Sequence, residues 1–316
     1  MTAQEEGLRE AVRQGGEAAS PAGVAPGEAV GQGGEGGGSG LGEMLMYHMG
    51  DQRVVELPGW KWELPQWDPI QIGALSIDLS PTKHMVFLCI AAVVVLFIFI
   101  PVARAMERSY RGGAPRGLAN AMEALVLFVR DRIARPNIGH GADAYTPFIL
   151  TLFFFILTAN VLGLVPWGET ATGNLSVTAG LALGSLIGIE VSGFLTLGPK
   201  GYARTIFYMP KGLGPVAGVM LVSILTPVEI IGKLTKPSAL ALRLFANMTA
   251  GHLVMLSVLG VIFVFAHQPV ARWGVAAGSV GLSMFLTVLK LVVSVLQAYI
   301  FATLTSIFIG LIRHPH

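Results

Sequence analysis

The chain has 316 residues, of which 53% are hydrophobic and only 13% charged, and its mean hydropathy is +0.65. A soluble domain carries about 25% charged residues, so this balance belongs to a membrane protein. The net charge of +2 comes from basic residues scattered between apolar runs, which excludes the concentrated basic face of a nucleic-acid binder, and a lone cysteine, Cys89, excludes an intramolecular disulfide or a multi-cysteine metal site.

Residues 1–42 are rich in Gly, Ala and Glu with almost no large apolar side chains. They cannot offset the entropy of ordering and are expected to be disordered. Their polar, acidic opening lacks the apolar core of a secretory signal, so insertion is expected to use internal spans. Residues 43–83 are mixed and place Trp60, Trp62 and Trp67 ahead of the first long apolar run. Indole rings favour the headgroup region, which predicts an extramembrane, interfacial segment. Residues 84–316 form the predicted membrane domain.

Met85 to Ala103 is the first span, about 19 residues without a charge, near the length that crosses a hydrocarbon core of about 30 Å. Leu118, Met122, Leu125, Val129 and Ile133 then recur at helical spacing against Glu123, Arg130, Asp131 and Arg132. This predicts an amphipathic helix on the membrane surface or against other helices. Tyr145 to Pro166 spans again, as does Leu175 to Gly198, interrupted only by Glu190. Gly214 to His267 and Trp273 to Ile312 are each too long for one perpendicular crossing. Either two short helices or one long tilted helix fits each stretch, and Pro227, Pro237 and the polar cluster Glu229 to Lys236 permit a kink in the first. Lys and Arg near span ends are retained in the cytoplasm. Arg104, Arg108, Arg111 and Arg116 after the first span, and Lys200, Arg204 and Lys211 after the third, are therefore predicted to be cytoplasmic. By alternation the N-terminus and Trp167 to Gly173 lie outside, with Arg313 inside if the last two stretches form one hairpin.

Arg243 stands far from either end of its apolar run, between Leu240, Ala241, Leu242 and Leu244, Phe245, Ala246. A central arginine costs about 2.5–3.5 kcal/mol to insert, which makes it a functional candidate. The blander reading is an arginine that snorkels or pairs with a buried carboxylate, but the nearest acid in sequence, Glu229, is 14 residues earlier. An unpaired cation points to a partner on another chain. Ala239, Ala246, Asn247 and Ala250 fall near the azimuth of Arg243, and small side chains there let another helix approach. His252, nine residues on, falls on roughly the opposite face, which suits a separate aqueous pocket or plain packing. Thr287, Lys290, Ser294 and Gln297 form a polar stripe that faces protein or water, not lipid. Glu190 must either neutralise or find a cation, and Lys290 is its candidate partner.

The run KPSALALRLFANMTAGHLV, Lys236 to Val254, closely resembles subunit a of F-type ATP synthases. TANVLGLVP (Thr158 to Pro166), GNLSVTAGLAL (Gly173 to Leu183) and LQAYIFATLTSIFI (Leu296 to Ile309) resemble the family in the same order, and the match covers most of residues 80–312. The resemblance implies an all-α membrane protein with one N-terminal span, a surface helix, two further spans and a long tilted two-helix hairpin against the rotating c-ring. It implies a non-catalytic, proton-translocating stator without a cofactor, partnered by the c-ring, the peripheral stalk subunit b, lipid and protons. A bacterial inner membrane is the expected location. Arg243 falls on the family's essential arginine, which faces the c-ring carboxylate and blocks a leak between two offset half-channels. Asn247, His252 and Gln297 fall near the outer half-channel and Glu229 near the cytoplasmic one. Seven residues before Gln297 the family has Glu or His where this chain has Lys290. The path is thus rerouted through Glu190 and His252, or Lys290 is a fixed charge. No phosphate-binding loop of the form G-x-x-x-x-G-K-S/T occurs. A stand-alone secondary ion transporter would show a repeat between halves, and none is evident. A purely structural scaffold leaves Arg243 without a partner.

Overall fold

The computed structural model describes residues 54–57, 60–65, 70–72, 75–77, 80–110, 117–165, 170–207, 215–265, 267–268 and 271–313. The predicted disordered tail, 1–42, lies outside them, as do Trp67, Arg111, Arg116, Pro166, Trp167 and Lys211. Ahead of the helices stand two short antiparallel hairpins. β1 (Val54–Leu57) pairs with β2 (Trp60–Glu63), Val54 opposite Glu63, and β3 (Ile70–Ile72) pairs with β4 (Leu75–Ile77), Ile70 opposite Ile77. The segment predicted to be interfacial thus carries local β structure that its mixed composition did not announce.

From Lys83 onward the described residues are helical apart from short turns, as predicted. α1 (Lys83–Tyr110) contains the first apolar run. α2 (Leu118–Phe128) leads through a π-helical turn, Val129–Ala134, into the short α3 (Arg135–Ile138). Met122, Val129 and Ile133 of its apolar stripe are buried, whereas Leu118 and Leu125 are exposed, so only part of that stripe meets protein. α4 (Ala142–Leu162) and α5 (Leu175–Ile206) follow, separated by a 3-10 turn at Ala171–Gly173. The Asn174 side chain caps α5 by accepting from the Ser176 amide at 2.7 Å. Gly198 breaks the course of α5 at φ 67°, ψ 171°, just where the predicted span ends. The following Pro199 disfavours helical geometry at that residue, and glycine tolerates the positive φ.

The two long apolar stretches are single helices. α6 (Pro215–Val264) has 50 residues and α7 (Ala271–Arg313) has 43, about 75 and 65 Å at 1.5 Å per residue. Neither Pro227 nor Pro237 ends α6, which runs through both of them. Five helices, α1 and α4–α7, are long and apolar enough to cross a membrane.

The core lies where α4, the π-turn, the middle of α6 and the C-terminal half of α7 meet, with Ile149, Phe153, Ile156, Leu244, Phe301 and Ile309 buried. Phe154 packs edge-on to Phe99 of α1 at 4.6 Å between ring centres. A Cβ on Gly310 of α7 would overlap the Asn137 carbonyl, so glycine is what lets α7 and α3 touch. The most apolar window of α4 is 44% buried, that of α6 and of α7 only 11%. The long hairpin therefore packs α4 and α5 with one side and leaves the other open.

Candidate functional site

α6 is the spine of the site. Its inward residues Leu240, Ala241, Leu244 and Met248 are buried, and Arg243 is exposed together with Ala239, Leu242, Ala246 and Ala250. No described residue gives Arg243 a hydrogen bond or ion pair. A charge that is costly to insert thus sits on a flat face of small side chains with no partner within the described residues.

A polar group lies on either side of Arg243 along α6. Towards the α4–α5 turn, a cavity of about 200 Å³ is lined by Asn247, Ala250, Gly251 and Val254 of α6 and by Leu289 and Lys290 of α7. Lys290 is buried and lies against Gly251, where a Cβ would come within 3.1 Å of its Cε. Neither Lys290 Nζ nor Asn247 Nδ2 has a hydrogen-bond partner among the described residues. Ser294 and Gln297 are buried along the same side of α7, and Thr287 is partly buried, so the polar stripe faces protein as predicted. His252 points elsewhere, into a hydrogen bond with the Thr170 hydroxyl. The turn after α4 is no loose loop at this point. Thr170, Ala171 and Thr172 are buried, Thr172 Oγ1 donates to Asn160 Oδ1 at 2.7 Å, and Thr249 Oγ1 donates to the Gly173 carbonyl at 3.4 Å.

Towards the Gly198 break, a larger cavity of about 590 Å³ opens between α5, α6 and the end of α7. Glu190, Arg204, Glu229, Lys233 and Lys236 line it. Lys233 Nζ lies 3.2 Å from Glu190 Oε2, 3.4 Å from the Tyr202 hydroxyl and 4.7 Å above the Tyr202 ring. Tyr202 donates its hydroxyl to the same Glu190 oxygen. At 100° per residue, Glu229, Lys236, Asn247, Ala250 and Val254 fall within about 40° of Arg243, so both cavities and the arginine share one side of α6.

The structure brings Asn247 and Lys290 together at one cavity and Glu190 and Glu229 together at the other. It overturns the pairing of Glu190 with Lys290. Glu190 is bound by Lys233, and the two lysines lie at different cavities on opposite sides of Arg243 along the spine. His252 and Glu190 likewise have separate partners, His252 the Thr170 hydroxyl and Glu190 the Lys233 ammonium. Sequence reasoning missed Lys233, Tyr202 and Thr170. Lys233, four residues after Glu229 in an apolar run, carried a signal; Thr170, in a short loop, carried none.

Comparison with known proteins places the chain in a family. Residues 85–310 match the family described as ATP synthase A chain. An ATP synthase subunit a from Chloroherpeton thalassium is 43% identical over 242 residues, covering 77% of this chain and 68% of the relative. One from Chlorobium phaeobacteroides is 41% identical over 292 residues, covering 92% and 80%, and one from Anaeromyxobacter dehalogenans is 40% identical over 289, covering 87% and 71%. With a family match over more than half its length and relatives of this identity, the chain belongs to the ATP synthase A chain family, the a subunits of F-type ATP synthases.

Proposed function

We propose that the chain is the stator that passes protons to and from a rotating c-ring through two offset half-channels, with Arg243 between them, so that proton flow turns the ring and drives ATP synthesis. The observation that carries this reading is Arg243, without a partner among the described residues, on the exposed face of α6, with a cavity holding Glu229 and Glu190 before it and one holding Asn247 and Lys290 after it. A guanidinium remains protonated at any working pH, so it exchanges no protons itself and acts as a fixed charge. On the open face it attracts a rotor carboxylate, favours release of its proton, and bars a proton from moving straight from one cavity to the other.

Asn247, Lys290, Gln297 and His252 belong to the outer half-channel, Glu190 and Glu229 to the inner. Arg104, Lys200, Arg204 and Arg313 gather at the Gly198 end of the spans, which by the retention of basic residues is the cytoplasmic end. Five spans then leave residues 43–83 outside and the end of α7 inside. The field supplies about 2.3 kcal/mol per charge per 100 mV, so several protons are gathered per nucleotide by the rotor. The other partners are the peripheral stalk subunit b and lipid, in a bacterial inner membrane; the nucleotide chemistry belongs to other subunits.

ATP-driven proton pumping in membrane vesicles tests this. Arg243→Ala is expected to abolish pumping while the chain still purifies with an oligomeric ring and stalk subunits. Pumping at the wild-type rate would sink the reading.

A further inference from the structure

Lys233 stands four residues after Glu229 on α6, the spacing and order at which a glutamate and a lysine pair on a helix. They do not pair. Lys233 turns instead to Glu190 on α5 and is held there by three contacts, the ion pair at 3.2 Å, the Tyr202 hydroxyl at 3.4 Å and the Tyr202 ring. The Lys233 and Glu190 side chains are 17% and 25% exposed, so the contact is screened less than a surface pair. Lys236 is likewise turned away, lying 5.3 Å over the Phe308 ring. Arg204, the remaining cation of the cavity lining, is exposed and makes no ion pair with a described residue. Glu229 is left exposed on the cavity wall with no ion pair or hydrogen bond to any described residue.

We infer that Glu190 and Tyr202 are positioning residues that sequester Lys233, so that Glu229 stays unpaired and free to exchange protons with water in the larger cavity. This rests on the assignment of Glu229 to the inner half-channel. Glu190 on this reading is not a relay in the path but the counter-charge that keeps a neighbouring lysine off the relay. Without it, the ammonium swings back to the glutamate one turn away on its own helix. A held cation favours the ionised carboxylate and retards its protonation.

The test uses the intact complex in vesicles, with assembly scored by co-purification of ring and stalk, and reads the rate of ATP-driven pumping per assembled complex. Glu190→Gln is expected to slow pumping about twofold to fivefold, the range of a partly exposed ion pair formed at the wrong place. Adding Lys233→Gln is expected to restore the rate, because no ammonium remains to capture Glu229. Tyr202→Phe keeps every charge and loosens the same contact; its slowing is expected to be smaller than that of Glu190→Gln and to be relieved by the same Lys233→Gln. A double variant as slow as Glu190→Gln alone would overturn the inference and return Glu190 to the path or to packing, and so would an undiminished rate in Glu190→Gln. Glu229→Gln separates the two levels. Its impairment with no rescue in the double variant removes only the sequestering role, whereas a wild-type rate in Glu229→Gln removes the inner half-channel assignment on which that role rests.

Discussion

Lys290 concentrates the conflict between stability and function at single-residue scale. A buried donor without an acceptor costs about 1–3 kcal/mol, and Lys290 Nζ has none among the described residues. Lys290→Met keeps the length and apolar stem of the side chain and removes the charge. It is expected to raise the thermal midpoint of the solubilised complex while lowering pumping, the two signs expected of a polar group kept for transport. A lowered midpoint would reveal an acceptor that holds the ammonium. The stripe that contains Lys290 was legible in the sequence because buried polar residues every third or fourth position mark a helix face turned to protein. Its supposed partner was not. Glu190 and Lys233 are 43 residues apart on different helices, and no spacing rule reaches across helices, so periodicity does not tell Lys233 from Lys290 as its cation.

Elements are positioned by close approaches that the apolar pattern does not encode. Gly310→Ala would drive a methyl group into the Asn137 carbonyl, a backbone atom that has no room to yield. A loss of about 1–3 kcal/mol and reduced assembly are expected, measured by thermal unfolding and by yield of the complex. Gly180 in α5 has no atom within 4 Å of an added Cβ, so Gly180→Ala is expected to be neutral or to gain about 0.4–1 kcal/mol. At Gly198 the positive φ with extended ψ makes alanine strained by about 1–3 kcal/mol, and the segment after the break carries Tyr202 onto Glu190. Gly198→Ala is thus expected to slow pumping more than its loss of stability accounts for, and a Lys233→Gln background is expected to relieve it. Span positions were readable from about 20 apolar residues in a row. The continuity of α6 was not, since Pro227 and Pro237 break helices in water and yet lie inside α6 here.

Across the whole molecule, the compact part formed by α4, α5, the π-turn and the second half of α7 carries a hairpin whose other face stays open. That asymmetry was foreshadowed by Ala239, Ala246 and Ala250 around Arg243, small residues on the face of an arginine that no acid nearby in the chain can neutralise. The cavities were not foreshadowed, because they arise where helices diverge, α5, α6 and α7 at the larger and α6 and α7 at the smaller. If Arg243 separates two half-paths as proposed, passive proton conductance through the membrane sector stripped of its catalytic head depends on it. In vesicles holding the Arg243→Ala complex, assembled with its ring, the leak under an imposed potential is expected to rise above that of the native complex. A leak no greater than native in the assembled variant would contradict the separating role of Arg243.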